Sequence, residues 1–178
     1  MQPPFDMSDE TFPEIELLVM DVDGVLTDGG IIVHADGTES KRFHVHDGAW
    51  IRIWHRLGCK TALITGRDCP AVAHRARDLE INFVYQGAHR KLEVLHQLEA
   101  ASGITAPRMA YIGDDVMDLP VLRRVGFAVA VADACPEVRQ AAHYITHQPG
   151  GRGAVGELIR YLLKRLGRYN QALERYRV

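Results

Sequence analysis

The sequence predicts an α/β protein with a three-layer α/β/α, Rossmann-like fold, a mainly parallel sheet and one protruding β-hairpin. Short apolar runs alternate along the chain with segments whose apolar residues recur every three or four positions. Strands and helices that alternate at this spacing are typical of right-handed βαβ units with helices on both faces of the sheet. Polar residues follow three of the apolar runs directly, at Asp21, Thr65 and Asp114. Because ligands bind beyond the carboxyl ends of parallel strands, this edge of the sheet is the predicted site.

The first predicted elements are a buried strand and a hairpin. Residues 15–20 form a largely apolar run that ends at polar and glycine residues, as expected of a strand covered on both faces. This strand places Asp21 at its carboxyl end. Two strand-like runs, 30–34 and 40–45, flank an Asp-Gly-containing connection, which predicts a β-hairpin over about residues 30–45.

The rest of the chain repeats a cycle of strand and helix. Trp50, Ile53, Trp54 and Leu57 recur at helical spacing, and Gly58 is a suitable helix stop. The elements predicted after this helix are strand 61–65, helix 70–79, strand 83–86, helix 91–101, strand 109–113, helix 119–125, strand 128–131, helix 136–141, strand 144–146 and a final helix with one apolar stripe from Val155 to Leu166.

A single folded domain is predicted, because 178 residues is an ordinary length for one domain. We assign residues 15–167 to this domain, residues 1–14 to a loose N-terminal leader and residues 168–178 to a C-terminal tail. The tail is expected to fray, because chain ends are usually poorly ordered unless something ties them down. A helical extension and an arm onto a neighbouring subunit are the alternatives.

Composition indicates an ordinary soluble protein and argues against several classes. The hydrophobic share is 47%, the charged share 25% and the formal net charge −2, so there is no basic surface for duplex nucleic acid. The three cysteines, Cys59, Cys69 and Cys135, form no C-x-x-C pair, which argues against a disulfide framework or zinc ribbon and suits a reducing cytoplasm. No run approaches the roughly 20 apolar residues that a membrane span needs, so no membrane insertion is predicted.

Four segments supply the groups for metal-assisted phosphoryl transfer. They are Asp21-Val22-Asp23-Gly24, Ile64-Thr65-Gly66, Lys91, and Gly113-Asp114-Asp115 with Asp118. A carboxylate can attack an anionic phosphate ester only when a cation screens the repulsion, and Mg²⁺ prefers a few carboxylate oxygens with water and phosphate. Asp21, Asp114 and the backbone of Asp23 could form that shell.

The remaining groups match the other demands of the reaction. Asp23, two residues beyond Asp21, is placed to protonate a leaving alkoxide and then to deprotonate the attacking water. Thr65 and the N–H of Gly66 can hold a phosphoryl oxygen, while Lys91 neutralises the charge on the transferring group. Taken singly, each segment is better explained as a turn, a strand exit, a solvated lysine or a helix cap. Only their joint order at successive strand ends favours catalysis.

These four segments resemble the four motifs of the haloacid dehalogenase superfamily. The resemblance extends through residues 43–48, Arg75, residues 85–87, residues 128–134 and residues 150–155. That wider set is similar to the 3-deoxy-D-manno-octulosonate 8-phosphate phosphatases, which lack a separate cap domain. Between Asp28 and Trp50 there is too little chain for a second folded domain, which supports a capless fold independently.

The resemblance implies a role for each matched residue. Asp21 is the expected nucleophile, Asp23 the general acid and base, and Thr65 and Lys91 the phosphate stabilisers. The expected Mg²⁺ ligands are Asp21, the Asp23 carbonyl and Asp114, and the residues expected to organise the metal loop and Lys91 are Asp115 and Asp118. Gly66, Arg67, Arg75 and His46 are the expected substrate-binding residues.

The resemblance also implies a pathway and an assembly. Members hydrolyse a phosphorylated eight-carbon keto sugar acid in the cytoplasm, before its activation for the inner core of lipopolysaccharide. They form homotetramers through their hairpins, and the tail can reach the active site of a neighbour.

The chain departs from the family pattern at a few positions. Where the pattern has Phe-Asn-Val-Arg-Asp-Gly, the sequence has His44 and His46, and Glu80 replaces a common glycine. On the predicted strand the two histidines share one face and could bind a metal. A solvated or hydrogen-bonded pair is favoured, because no further cysteine or histidine lies close by in sequence.

Three rival functions stay open. A phosphatase for a nine-carbon sialic acid 9-phosphate would use the same groups. A signalling receiver domain also combines an acceptor Asp with Thr, Lys and acidic ligands on a parallel sheet, but it has its acidic pair at the first strand and lacks an Asp-x-Asp nucleophile motif. A catalytically silent assembly module is the third, and the presence of every chemical group argues against it.

Overall fold

The computed structural model describes residues 12–177, so most of the predicted leader, residues 1–11, lies outside the described residues. Six strands form one parallel sheet in the order β5-β4-β1-β6-β7-β8, and two form a separate antiparallel hairpin, β2-β3. The strands are β1 Leu17–Met20, β2 Ile32–Val33, β3 Glu39–Ser40, β4 Lys60–Ile64, β5 Phe83–Tyr85, β6 Met109–Gly113, β7 Phe127–Ala130 and β8 Tyr144–Ile145.

Helices cover both faces of the sheet, so the predicted three-layer α/β/α fold is confirmed. The helices are α1 Val45–Arg56, α2 Pro70–Asp78, α3 Lys91–Ser102, α4 Leu119–Leu122, α5 Pro136–Ala141, α6 Ala154–Arg165 and α7 Tyr169–Leu173, with 3-10 turns at Ala106–Arg108, Val116–Asp118 and Glu174–Tyr176. On one face α1 packs against α6 and α7, and on the other α4 packs against α3 and α5. Within residues 12–177, no helix has both the length and the apolar character to cross a membrane.

Strand β1 is the centre of the molecule. All four of its residues, Leu17–Met20, are completely buried, because helices cover both faces and β4 and β6 flank it. The chain leaves β1 towards β4 and later crosses back to β6 on the other side. This reversal of strand order opens a crevice at the carboxyl end of β1, which is where open α/β sheets bind ligands. Asp21 lies in that crevice.

The hairpin is shorter than predicted, and the first helix starts earlier. Strands β2 and β3 pair only over two residues each, and Val45 begins α1 instead of ending the hairpin. Beyond β3, the side chains of Lys41 and Arg42 form ion pairs with Asp23 and Asp28.

The prediction that His44 and His46 share one face of a strand was therefore wrong. His44 is the N-cap residue of α1 and His46 lies in the first turn of that helix. Their rings meet edge to face, with centroids 5.0 Å apart.

The prediction that the C-terminal tail frays was also wrong. Helix α7 and the turn after it dock against α1. The Arg168 guanidinium bonds the Leu57 carbonyl, the Tyr169 ring stacks on Trp50, and Arg56 donates to the Tyr176 hydroxyl at 2.5 Å. These contacts tie the tail to α1. Those to Arg56 and Leu57 lie where α1 leads into β4, at the amino-terminal ends of the strands, whereas Asp21 lies at the carboxyl end of β1.

Candidate active site

Three side chains from three elements meet at the carboxyl end of β1. Asp21 follows β1, Lys91 is the first residue of α3, and Asp118 closes the 3-10 turn after β6. The Lys91 Nζ donates to Asp21 Oδ2 and to Asp118 Oδ1, both at 2.6 Å. Burial alone would lower the pKa of Lys91, but the carboxylates of Asp21 and Asp118 outweigh it and raise that pKa above its usual value. The ammonium therefore stays charged beside the predicted nucleophile.

Asp118 ties this cluster to the loop that follows β6. Its Oδ2 accepts the backbone N–H groups of Asp114 at 2.9 Å and Asp115 at 3.3 Å, and its Oδ1 accepts the Tyr111 hydroxyl at 2.6 Å in addition to Lys91. Both oxygens of Asp118 are thus engaged within the protein. Tyr111 was not among the predicted site residues, although a tyrosine on a fully buried strand needs a partner for its hydroxyl and gives a signal for that reason.

A second carboxylate, that of Asp114, faces Asp21 across the crevice. It lies against Gly24, where a Cβ would collide with it and where φ of +79° itself favours glycine. Three carboxylate oxygens lie within 4.8 Å of one another, one each from Asp21, Asp114 and Asp118.

The acidic group fits a hard divalent cation. Burial, followed by the charges of Asp21 and Asp118, raises the pKa of Asp114 to about 7, and burial raises the pKa of Asp21 to about 6. Asp118 is completely buried and does not line the crevice, whereas Asp21 and Asp114 both line it, so these two side chains are the ones that can offer oxygens to a cation there. Oxygen donors in a concentrated negative field suit a cation such as Mg²⁺.

Asp23 lies in the loop after β1 and has a partner that the sequence did not indicate. Its Oδ1 forms an ion pair with Lys41, whose side chain is only 2% exposed. Its Oδ2 is buried and has no hydrogen-bond partner among residues 12–177. Lys41 follows β3, so the hairpin stem folds over the loop that carries Asp23.

Thr65 and Gly66 form the opposite wall of the crevice. Thr65 is buried directly after β4, where its N–H donates to the Tyr85 carbonyl at 3.0 Å and its own carbonyl accepts the Ala88 N–H at 2.9 Å. A Cβ at Gly66 would meet open space. The crevice has a volume of about 300 Å³ and is lined by Asp21, Asp23, Gly24, Gly29, Thr65, Gly66, Arg67, Ala88, His89, Lys91, Asp114, Asp115 and Met117.

The glycines before α6 support the catalytic loop from behind. The Gly151 N–H donates to the Val25 carbonyl at 2.9 Å, and a Cβ at Gly150 would overlap the carbonyl of Gly24. Only a residue without a side chain allows this approach. The segment that the sequence singled out at 150–155 thus packs against the loop that begins at Asp21.

Of the predicted substrate-binding residues, the structure brings only two to the crevice. Gly66 and Arg67 line it, and the Arg67 guanidinium forms an ion pair with Glu39 of the hairpin. Arg75 does not line it: its guanidinium packs against Gly48 and bonds Asp78 at 2.7 Å. His46 is exposed and also lies away from the lining.

Comparisons with known proteins agree with this geometry. A family described as haloacid dehalogenase-like hydrolase matches residues 79–159. The 3-deoxy-D-manno-octulosonate 8-phosphate phosphatase KdsC of Salmonella typhi is 44% identical over 158 residues, which are 89% of this chain and 84% of that protein.

Solved structures extend the similarity to three dimensions. The 3-deoxy-D-manno-octulosonate 8-phosphate phosphatase of Moraxella catarrhalis, in complex with a magnesium ion, a phosphate ion and the KDO molecule, is 39% identical with a TM-score of 0.90, covering 93% of this chain and 95% of that one. A probable yrbi family phosphatase from Pseudomonas syringae is 43% identical, also with a TM-score of 0.90, over 92% of this chain and 93% of that one. The chain therefore belongs to the haloacid dehalogenase-like hydrolases, in the family of the 3-deoxy-D-manno-octulosonate 8-phosphate phosphatases.

Proposed function

We propose that this phosphatase hydrolyses 3-deoxy-D-manno-octulosonate 8-phosphate to the free sugar acid and inorganic phosphate, through an aspartyl-phosphate on Asp21. The observation that carries the proposal is the buried contact between Asp21 and Lys91 at the point where the strand order reverses. Relatives of which this chain covers most of the length are named for this reaction.

The residues divide the reaction between them. Asp21 attacks phosphorus while the bond to the sugar oxygen breaks, and Asp23 gives its proton to the leaving alkoxide. Asp23 then takes a proton from the water that displaces Asp21, which releases phosphate. Lys91, Thr65 and the Gly66 N–H stabilise the charge that spreads over the phosphoryl oxygens.

The acidic group is proposed to hold Mg²⁺. Asp21, Asp114 and the carbonyl of Asp23 would be its protein ligands, with Asp115 and Asp118 organising the loop. When bound, the cation supplies the positive charge that lets a carboxylate approach an anionic ester. The raised pKa values of Asp21 and Asp114 support this assignment, because buried carboxylates so close together need a counter-charge.

Substrate binding and assembly are proposed together. Arg67 is assigned to the sugar acid, since a guanidinium suits a carboxylate. Arg75 and His46 lie off the crevice of their own chain, so a substrate contact from them requires a neighbouring subunit. Ile31, Ile32 and Val33 of the hairpin are each more than half exposed, which supports association of hairpins in a homotetramer.

The place of the reaction follows from the substrate. Its product is a free keto sugar acid ready for activation, so we assign the enzyme to the cytoplasmic part of lipopolysaccharide inner-core biosynthesis.

A second substrate is supported by one residue. The family pattern has arginine where this chain has His46. If this position reaches the substrate from a neighbouring subunit, a histidine there would bind the eight-carbon acid less firmly than an arginine. A nine-carbon sialic acid 9-phosphate is the alternative that uses the same phosphoryl-transfer groups.

The test is phosphate release with Mg²⁺ over a panel that contains the eight-carbon and nine-carbon keto acid phosphates. We expect the highest kcat/KM for the eight-carbon ester and no release in excess chelator. Activity on the nine-carbon ester alone would reassign the substrate. A stable, stoichiometric phosphoprotein without turnover would instead indicate a signalling domain.

A further inference from the structure

The hairpin stem reaches both loops of the crevice. Glu39 of β3 pairs with Arg67 after β4, and Lys41, two residues on, pairs with Asp23 after β1. Alternate residues of an extended chain point to the same side, so both side chains reach residues that line the crevice, Arg67 and Asp23. The intervening Ser40 faces the other way and bonds the His34 ring at 2.7 Å. Pairing of β2 with β3 therefore fixes the direction of Lys41.

The pair between Lys41 and Asp23 is unlike the other ion pairs of the hairpin. The Lys41 side chain is 2% exposed, whereas that of Arg42 next to it is 65% exposed in its pair with Asp28. A buried ammonium is costly unless it is paired, so Lys41 is held to its partner much more firmly than a surface lysine would be.

The contact leaves the Asp23 carboxylate with one engaged oxygen and one without a protein partner. Oδ1 bonds Lys41, while Oδ2 has no hydrogen-bond partner in the described part of the chain. Gly24 packs against Asp114 and Gly150 and so holds the backbone beside Asp23, but these contacts do not fix the rotation of the Asp23 side chain. A general acid must lie within about 2.6–3.2 Å of the atom that it protonates, and a misplacement of 1 Å can cost about 100-fold in rate.

We propose that Lys41 is a positioning residue, which holds the Asp23 carboxyl group in the orientation from which it passes its proton to the leaving alkoxide. In the acid form the proton is on Oδ2, while Oδ1 accepts from Lys41. The proton moves from Oδ2 to the oxygen of the sugar as the phosphorus–oxygen bond breaks, which leaves Asp23 as a carboxylate beside Lys41, and Lys41 itself exchanges no proton. This inference rests on the proposed phosphatase activity, and it adds a function for the hairpin within its own subunit.

A comparison of two phosphate esters separates the effect of proton donation on the rate from the other effects of a substitution. The sugar acid 8-phosphate has a poor, alkoxide leaving group that needs a proton, whereas p-nitrophenyl phosphate has a phenolate that departs without one. For each ester, kcat/KM reports the steps up to the first phosphoryl transfer. We therefore compare Lys41→Met with the parent enzyme on both, in saturating Mg²⁺, and use Arg42→Gln as the control because that neighbouring cation is exposed.

We expect Lys41→Met to lose about 10- to 100-fold in kcat/KM on the alkyl ester and less than about 3-fold on the aryl ester, since general acid catalysis contributes about 100- to 10,000-fold. Arg42→Gln should leave the ratio of kcat/KM on the alkyl ester to kcat/KM on the aryl ester unchanged. Equal losses on both esters, or no loss on either, would overturn the proposal. Lys41→Gln, which keeps a polar group, should show the same selective loss and provides a second variant if the methionine variant folds poorly.

A double variant tests whether Lys41 acts through Asp23. When Lys41→Met is added to Asp23→Asn, kcat/KM on the alkyl ester should not fall further. A further fall as large as the one that Lys41→Met causes in the parent enzyme would contradict the proposal. A parent enzyme that hydrolyses neither ester would contradict the phosphatase assignment instead, so the two failures are distinguishable.

Discussion

The sheet side and the hairpin side of the crevice are built in different ways. On the sheet side, Lys91 and Asp118 are 5% and 0% exposed and are bonded to each other at 2.6 Å. On the hairpin side, Arg67 and Glu39 are 43% and 22% exposed and form a pair at the surface. Burial and the second bond of Lys91, to Asp21, fix the first pair, whereas solvent reaches the second. The sheet side thus suits a reaction common to all phosphate esters, and the hairpin side suits recognition of one leaving group.

The largest effect is expected at the nucleophile on the sheet side. Asp21→Asn keeps the shape of the side chain but removes its nucleophilic charge, so turnover should fall by a factor on the order of 10,000 or more. Far-UV circular dichroism should be unchanged, since the strand before Asp21 is fixed by its own burial. Near-normal phosphate release by this variant would rule out an aspartyl-phosphate at this position.

The next effect tests the buried network around Asp118. Asp118→Asn leaves Lys91 with one carboxylate and weakens the support of the Asp114 loop, so we expect about 3–5 kcal/mol lower stability and roughly 100-fold lower kcat. Tyr111→Phe removes only one bond to Asp118 and should cost about 1–2 kcal/mol. Urea denaturation and steady-state kinetics measure both. If Tyr111→Phe cost as much as Asp118→Asn, the aspartate would not be the centre of the network.

The stability of the metal-free protein should depend on pH through Asp21 and Asp114. The folded pKa values of Asp21, about 6, and Asp114, about 7, exceed the unfolded value of 3.8, so the folded state holds more protons between pH 4 and 7. Metal-free stability therefore falls as pH rises through that window. Asp114→Asn should remove much of this loss of stability. In chelator at pH 8, we expect the variant to be more stable than the parent by about 2 kcal/mol, a figure reduced because water at the open crevice screens the charges.

Adding Mg²⁺ should reverse this order of stability, so that the parent becomes more stable than the Asp114→Asn variant. A cation binds the deprotonated carboxylates, so Mg²⁺ should raise the Tm of the parent more at pH 8 than at pH 5.5, and it should barely change the Tm of the Asp114→Asn variant. A parent and variant whose metal-free stabilities run parallel from pH 4 to pH 8 would contradict the assignment of Asp114.

The sheet side was largely predictable from sequence, and the hairpin side was not. Asp21, Thr65 and Asp114 were found because each follows an apolar run, and parallel strands bring their carboxyl ends together whatever the details of packing. Lys41 gave no such signal: a single lysine in a strand-like run is usually exposed. Its burial depends on how the hairpin folds over the loop after β1, which is a tertiary contact.

Local preference also misled the assignment of the first helix. Val45 is β-branched and favours a strand, so the hairpin was extended through it and His44 and His46 were placed on one strand face. In the structure the side chains of Lys41 and Arg42 form ion pairs with Asp23 and Asp28, and the chain turns into α1 directly afterwards. Asp47 in the first turn of α1 accepts the Gly156 N–H of α6 at 2.7 Å, so tertiary contacts outweigh local propensity at the point where the hairpin joins the domain.

The smallest effect is expected on the hairpin side, at Glu39. An exposed ion pair contributes at most about 1 kcal/mol, so Glu39→Gln should hardly change stability. It should, however, release Arg67 from a competing carboxylate and lower KM for the sugar acid phosphate by about two- to fivefold, with kcat unchanged. For p-nitrophenyl phosphate, which has no sugar acid carboxylate, KM should stay the same. Arg67→Gln is the matched variant and should raise KM for the sugar acid ester alone. If Glu39→Gln raised KM as Arg67→Gln does, the pair would orient Arg67 rather than compete for it, and the hairpin side would be preorganised like the sheet side.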